Sequence, residues 1–145
     1  VGKARRDVHS DLFAHYSGRL SWPLELREVD IRRKLPPEQM QEEEASQLLA
    51  LVPDGAIAVV LDERGKALSS AEFSSKIGTW RDDGIRDIVF MIGGADGHHE
   101  RVRNRADLLF SLGRATWPHM LVRGMIAEQL YRAQQILAGH PYHRE

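Results

Sequence analysis

The chain has 145 residues, 42% of them apolar, a formal net charge of −1 and no cysteine. That is enough apolar material for one packed domain and too much for a disordered chain. Disulfides and thiolate metal sites are excluded. No apolar run approaches the roughly 18–20 residues of a membrane helix, and no secretory leader is evident, so a soluble cytoplasmic protein is expected.

In chain order, Val1-Gly2-Lys3 reads as a strand end and its loop. Residues 4–17 show a loose helical pattern through Val8, Leu12, Ala14 and Tyr16. Residues 24–30 alternate apolar and polar, as a half-buried strand does. Pro36-Pro37-Glu38 opens a helix running to about Leu51, because proline is tolerated in a first turn. After the Pro53-Asp54-Gly55 turn, residues 56–61 form an unbroken apolar run, a strand covered on both faces. Residues 62–65 read as a loop. Ser69 and Glu72 have the spacing of a capping box for a helix that ends near Asp83-Gly84. Residues 87–92 are a second buried strand, 93–97 a glycine-rich loop, and after a short helix 108–112 are a third strand. The last helix starts around Pro118 and carries an apolar stripe to about Ala138, with Gly139 placed to stop it. Buried strands alternating with helices give an α/β domain with a mainly parallel sheet and helices on both faces.

Three segments can carry chemistry. Gly93-Gly94-Ala95-Asp96-Gly97 follows a buried strand, at the end where α/β sheets bind ligands. It has neither G-x-G-x-x-G spacing nor a Walker lysine, which disfavours a phosphate cradle and leaves either a ligand loop or a tight turn. Ser111 to Pro118 passes from strand to helix and is either a connector or a set of unpaired amides and carbonyls facing a flat ligand. The terminal His140-Pro141-Tyr142-His143-Arg144-Glu145 holds two histidines, a tyrosine and an arginine after the helix has stopped. His-x-x-His is a metal pattern, but no acidic or cysteine partner lies nearby in sequence, so no metal is expected. His98-His99 reads as surface decoration. The basic clusters Lys3/Arg5/Arg6, Arg32/Arg33/Lys34 and Arg101/Arg103/Arg105 are either local fields for a nucleic acid or plain solvated faces. With a net charge of −1 and so few clustered cations, RNA read by shape or presented by a larger particle suits the chain better than a floppy strand.

At Phe90 to Gly97, Trp117 to Arg123, Glu128 to Ala133, His140 to Glu145, Val59 to Asp62 and Val1 to Lys3, the sequence resembles the bacterial 23S rRNA pseudouridine N3-methyltransferases (the RlmH family) of the SPOUT superfamily. The likeness covers nearly the whole chain. It implies a single domain over residues 1–145 with a C-terminal trefoil knot, and a first strand that would precede Val1. It implies S-adenosyl-L-methionine (SAM) held by Leu61, Gly93, Gly94, Leu112, Gly113, Arg114, Ala115, Thr116 and Trp117, largely through backbone groups. It implies a homodimer in which the tail of one subunit completes the active site of the other. The implied substrate is a pseudouridine in helix 69 of 23S rRNA within the ribosome. The chain departs from the family where Arg114 and Trp117 stand in a more apolar stretch, where Met120 replaces a second proline, and where Ala95-Asp96 replaces Pro-Glu.

The chemistry so implied needs one proton managed at a weakly acidic imide nitrogen. His140 or His143 is the candidate base. Arg144 or Arg123 is the candidate electrostatic stabiliser of the imide anion. Tyr142 is placed to stack on the flipped base or bond its edge. The sequence does not rank these. Two other readings stand beside this one, a SPOUT methyltransferase acting on tRNA and a non-catalytic ribosome-binding factor.

Overall fold

The computed structural model describes residues 1–2 and 5–144. Lys3 of the first basic cluster, Ala4, and Glu145 of the terminal motif lie outside the described residues. The elements are α1 (Val8–Ser17), α2 (Pro37–Ala50), β1 (Ile57–Ala67), α3 (Ser70–Asp82), β2 (Ile88–Ile92), α4 (Glu100–Arg105), β3 (Leu108–Ser111) and α5 (His119–Leu137). The chain divides into two compact units. One comprises residues 1–3, 27–67 and 85–119; the other comprises 4–26, 68–84 and 120–145.

The first unit is an α/β sheet of order β2-β1-β3, both pairs parallel. One face packs Ala58, Val60 and Met91 against Ala45 of α2 and Val102 of α4, with Leu48, Leu49, Val89 and Leu109 around them. Val59, Leu108 and Phe110 point the other way and are buried too. An unbroken apolar run is what burial on both faces requires. Asp107 aligns β3 with the start of β1. Its backbone N–H donates to the Ala58 carbonyl at 2.8 Å, and its Oδ2 accepts the Ala58 N–H at 2.8 Å.

Two sequence expectations are corrected in this unit. Residues 62–65 are not a plain loop, because β1 continues to Ala67. Its pairing with β3 runs to Leu61↔Phe110, bulges, and resumes at Lys66↔Phe110 and Ala67↔Ser111. Polar residues are tolerated within the strand because Glu63 and Arg64 of the excursion face solvent. Gly65 makes the return possible. A Cβ there would sit 2.4 Å from the Leu109 carbonyl carbon and oxygen, so only glycine lets the two backbones approach. Residues 24–30 are not a strand of the sheet either. Val29 is buried and its carbonyl accepts the Gly2 N–H at 2.7 Å, but the segment is irregular backbone outside the β2-β1-β3 order. Val1 and Gly2 are irregular too, with the Val1 amino group donating to the Ile92 carbonyl at the end of β2 at 2.8 Å.

The second unit contains α1, α3 and most of α5. α5 buries Val122, Ile126, Leu130 and Ala133 along one stripe. The α1 side meets it where Leu12 reaches the open face of Gly124. The α3 side meets it where Leu137 covers Gly78 and where the Ser70 hydroxyl donates to the Gln129 side chain at 2.8 Å. The Ser69–Glu72 capping box forms with both arms at 3.0 Å. Asp7 and Ser10 make a second one at α1, which starts at Val8, later than the pattern suggests, because Asp7 is the residue that caps.

Gly65→Ala should disrupt the β1–β3 pairing and destabilise the fold by about 1–3 kcal/mol or more. The urea midpoint checks this, and Gly55→Ala, where a Cβ meets open space but φ is +78°, serves as the backbone-strain comparison.

Candidate functional site

Register places the candidate site. Leu61 is paired with Ile92 on one side and Phe110 on the other, so the point where β1 bulges and the carboxyl ends of β2 and β3 share one edge. Three segments leave that edge: residues 62–65, the glycine-rich 93–97, and 112–118. Every residue expected at the donor lies there. Leu61 is half-buried at its strand position. Gly93 and Gly94 follow β2, and a bridge from Gly94 to Gly97 folds the loop on itself. Residues Leu112 to Thr116 are irregular. The Ser111 hydroxyl donates to the Gly113 carbonyl at 3.0 Å and accepts its N–H at 3.1 Å. The Trp117 indole N–H donates back to the Leu112 carbonyl at 3.2 Å while 43% of the side chain stays exposed. Arg114, Ala115 and Thr116 are exposed.

The two histidines after this loop are not surface decoration. His98 is only 6% exposed, and its Nε2 lies 3.2 Å from the Met91 carbonyl, to which it donates. The ring is the floor of the loop, since a Cβ on Gly93 would touch it at 3.4 Å. Burial holds the His98 pKa below the ordinary histidine range, against the opposing pull of the Met91 carbonyl and Asp62. His99 caps α4, its Nδ1 accepting the Arg101 N–H at 3.0 Å. The cations of α4 are not simply solvated. Arg101 donates to Ser46 at 3.1 Å, Arg105 to Asp107 at 3.0 Å and to the Ala56 carbonyl at 3.1 Å, and Arg103 to the His98 carbonyl while facing Asp62 at 4.0 Å. Glu44 of α2 is raised above the usual carboxylate range by burial. Among the described residues no group of three or more His, Cys, Asp or Glu side chains is placed to hold a metal ion, and no helix is long and apolar enough to cross a membrane.

The terminal motif belongs to the second unit and is folded onto α5. Gly139, at φ 72°, ends the helix. Its N–H donates to the Ile136 carbonyl at 3.0 Å, and the His140 N–H to the Gln135 carbonyl at 2.9 Å. This pair of bonds is a Schellman motif. Beyond it, the Glu128 carboxylate accepts from Arg132 Nε at 2.9 Å, from Arg132 Nη2 at 2.7 Å and from the Tyr142 hydroxyl at 3.2 Å. Arg132 lies 4.8 Å over the Tyr142 ring, which meets Tyr131 edge-on at 4.9 Å. Glu128 accordingly raises the Arg132 pKa, and burial raises that of Tyr142. Arg132 Nη1 also lies 3.1 Å from His143 Nδ1. A guanidinium only donates, so Nδ1 accepts and the neutral ring carries its proton on Nε2.

The structure therefore places the donor-side residues on one sheet edge and the tail residues in the second unit. His140 and Arg144 are exposed, Tyr142 and His143 half-buried, and Arg123 is buried at 5% exposure with interactions of its own. Glu128, Arg132, His98, Arg103 and Asp62 were missed as functional candidates. The i,i+4 spacing of Glu128 and Arg132 signals a pair, but nothing local signals that the tail would fold onto it.

The family described as "Predicted SPOUT methyltransferase" matches residues 1–143. A protein of Rhodospirillum centenum called ribosomal RNA large subunit methyltransferase H is 61% identical over 144 residues, covering 99% of this chain and 95% of its own. Its counterpart of the same name in Paramagnetospirillum magneticum is 54% identical over 144 residues, again 99% and 95%. That of Rhizorhabdus wittichii is 47% identical over 145 residues, 99% and 94%.

Two outcomes are expected. Glu128→Gln should loosen the tail, so that amide hydrogen exchange at residues 142–144 quickens by about tenfold. The second concerns pH. An unfolded histidine takes up its proton as pH falls through about 6.5, whereas folded His98 resists until lower pH. The folded state should lose stability as pH falls below that point. Urea midpoints from pH 7 to 5 should fall less steeply in His98→Leu than in the natural chain.

Proposed function

The chain belongs to the SPOUT methyltransferase family, and from that premise we propose that it is a SAM-dependent enzyme that methylates N3 of a pseudouridine in helix 69 of 23S rRNA, in the cytoplasm, on the ribosome. The observation that carries this reading is the convergence of Leu61, Gly93-Gly94 and residues 112–117 on one sheet edge, in a chain whose relatives are named as large-subunit rRNA methyltransferases. We read residues 1–145 as one methyltransferase domain with the family's C-terminal knot, acting as a homodimer.

The edge residues fit the donor. A flat, polar adenosyl group needs amide and carbonyl partners at close range, and residues 112–118 are irregular backbone with exposed groups, flanked by the half-buried apolar Leu61. When bound, SAM supplies a methyl group already activated by a positive sulfonium. The chain has to orient the acceptor and take up its N3 proton.

The tail supplies that chemistry, entering the crevice of the partner subunit. Its hydrogen bonds divide the labour. Glu128 occupies the Tyr142 hydroxyl, and Arg132 occupies His143 Nδ1. With the other ring nitrogen protonated, His143 has no lone pair to offer in this arrangement. His140 and Arg144 are the exposed groups. His140 takes the N3 proton, and Arg144 faces the negative charge left on the imide. Tyr142 and His143 hold the tail in shape, and Arg123, buried within α5, is not one of the exposed groups.

Deleting residues 140–145 should leave SAM binding intact by calorimetry and cut methyl transfer to ribosomes by about 10²- to 10⁴-fold. Retained transfer would remove this mechanism. Absence of SAM binding in the intact chain would favour a ribosome-binding factor, and labelled methyl found in tRNA would redirect the substrate. A mixed dimer of one tailless subunit and one damaged at Gly93-Gly94 should keep one working crevice if the tail acts across the interface.

A further inference from the structure

The cluster formed by Asp62, His98 and Arg103 stands beside the donor edge without belonging to the residues that line it. Arg103 reaches two other segments with one nitrogen. Its Nη1 donates to the His98 carbonyl and lies 4.0 Å from Asp62 Oδ2. Asp62 is the first residue of the excursion after Leu61, and its side chain is only 9% exposed. Its Oδ1 accepts the Arg64 N–H at 2.9 Å, which shapes that excursion. His98 works in two directions. Its carbonyl faces Arg103, while its ring bonds the Met91 carbonyl and underlies Gly93. A continuous path thus runs from the end of β2 through His98 and Arg103 to the bulge of β1.

A nearly buried carboxylate needs a partner cation. The position of this pair decides what it does. It joins the bulged part of β1, where Asp62 sits, to helix α4, which carries Arg103, whereas the core cluster of Ala45, Ala58, Val60, Met91 and Val102 is entirely apolar. We propose that Asp62, Arg103 and His98 form a clamp that presets the separation of the Leu61 and Gly93-Gly94 segments, and that this preset spacing sets the affinity for the methyl donor. The three are positioning residues. The proposal rests on the reading that SAM is held at this edge. Backbone groups bind a ligand tightly only when their spacing is fixed beforehand, because otherwise binding must order them.

Calorimetric SAM affinity tests it in the full chain, with thermal midpoints measured alongside. Asp62→Asn and Arg103→Met should each weaken binding by about tenfold or more, and the double variant should be little worse than either, since both break one link. Arg103→Lys restores a cation and should recover most of the affinity, a result that general loss of packing would not produce. Loss carried by the donor site should appear in KM for SAM more than in kcat. Variants that keep the natural midpoint and bind SAM with unchanged affinity overturn the clamp. If Arg103→Met fails to fold, His98→Leu, of similar volume and without the Met91 bond, decides the matter, and unchanged affinity there overturns it. If the natural chain binds no SAM, the assignment of the edge fails before the clamp is reached, so the two failures are distinct.

Discussion

Parallel pairing through a single central strand is the constraint on which the rest depends. Parallel strands must be joined by crossovers, so their carboxyl ends gather on one edge, and the three segments leaving that edge are brought together although some 50 residues separate the first from the last. β1 holds both neighbours, and Gly65 lets its backbone return to β3 after the bulge. A side chain at that position would separate the strand ends that the proposed donor site needs in register.

Around this edge the chain uses its charges for positioning. Net charge is −1, and the cations of α4 are spent on Ser46, Asp107, two carbonyls and Asp62. Arg32, Arg33 and Lys34 remain exposed and form no ion pair among the described residues. A protein with so small a field is poorly suited to capturing RNA by long-range attraction. That agrees with a substrate whose shape is held by the ribosome.

The terminal motif shows the same economy in the second unit. One carboxylate, Glu128, holds Arg132 and Tyr142, and Arg132 in turn holds His143. The Tyr142 hydroxyl donates to Glu128, and His143 Nδ1 meets Arg132, so both side chains are engaged with α5. His140 and Arg144 are exposed beside them, and the proposed division of roles rests on that difference.

Much of the architecture was legible from residue order. The apolar runs at 56–61, 87–92 and 108–112 appear as strands, the Ser69–Glu72 box caps its helix, and Gly139 ends the last one, because each rests on local periodicity or on backbone groups a few residues apart. The strand expected at 24–30 is absent because alternation describes a face to be buried, not a partner to pair with, and Val29 is buried outside the sheet. The loop expected at 62–65 failed because the pairing that prolongs β1 comes from β3, more than 40 residues away. His98 read as surface because a polar residue beside glycines has no local mark of burial. The sequence by itself determined the element types, their caps and the family. Tertiary structure alone decided which strand ends meet, which arginines are engaged, and which tail side chains stay available, since each of those depends on partners that pairing and packing bring together from distant parts of the chain.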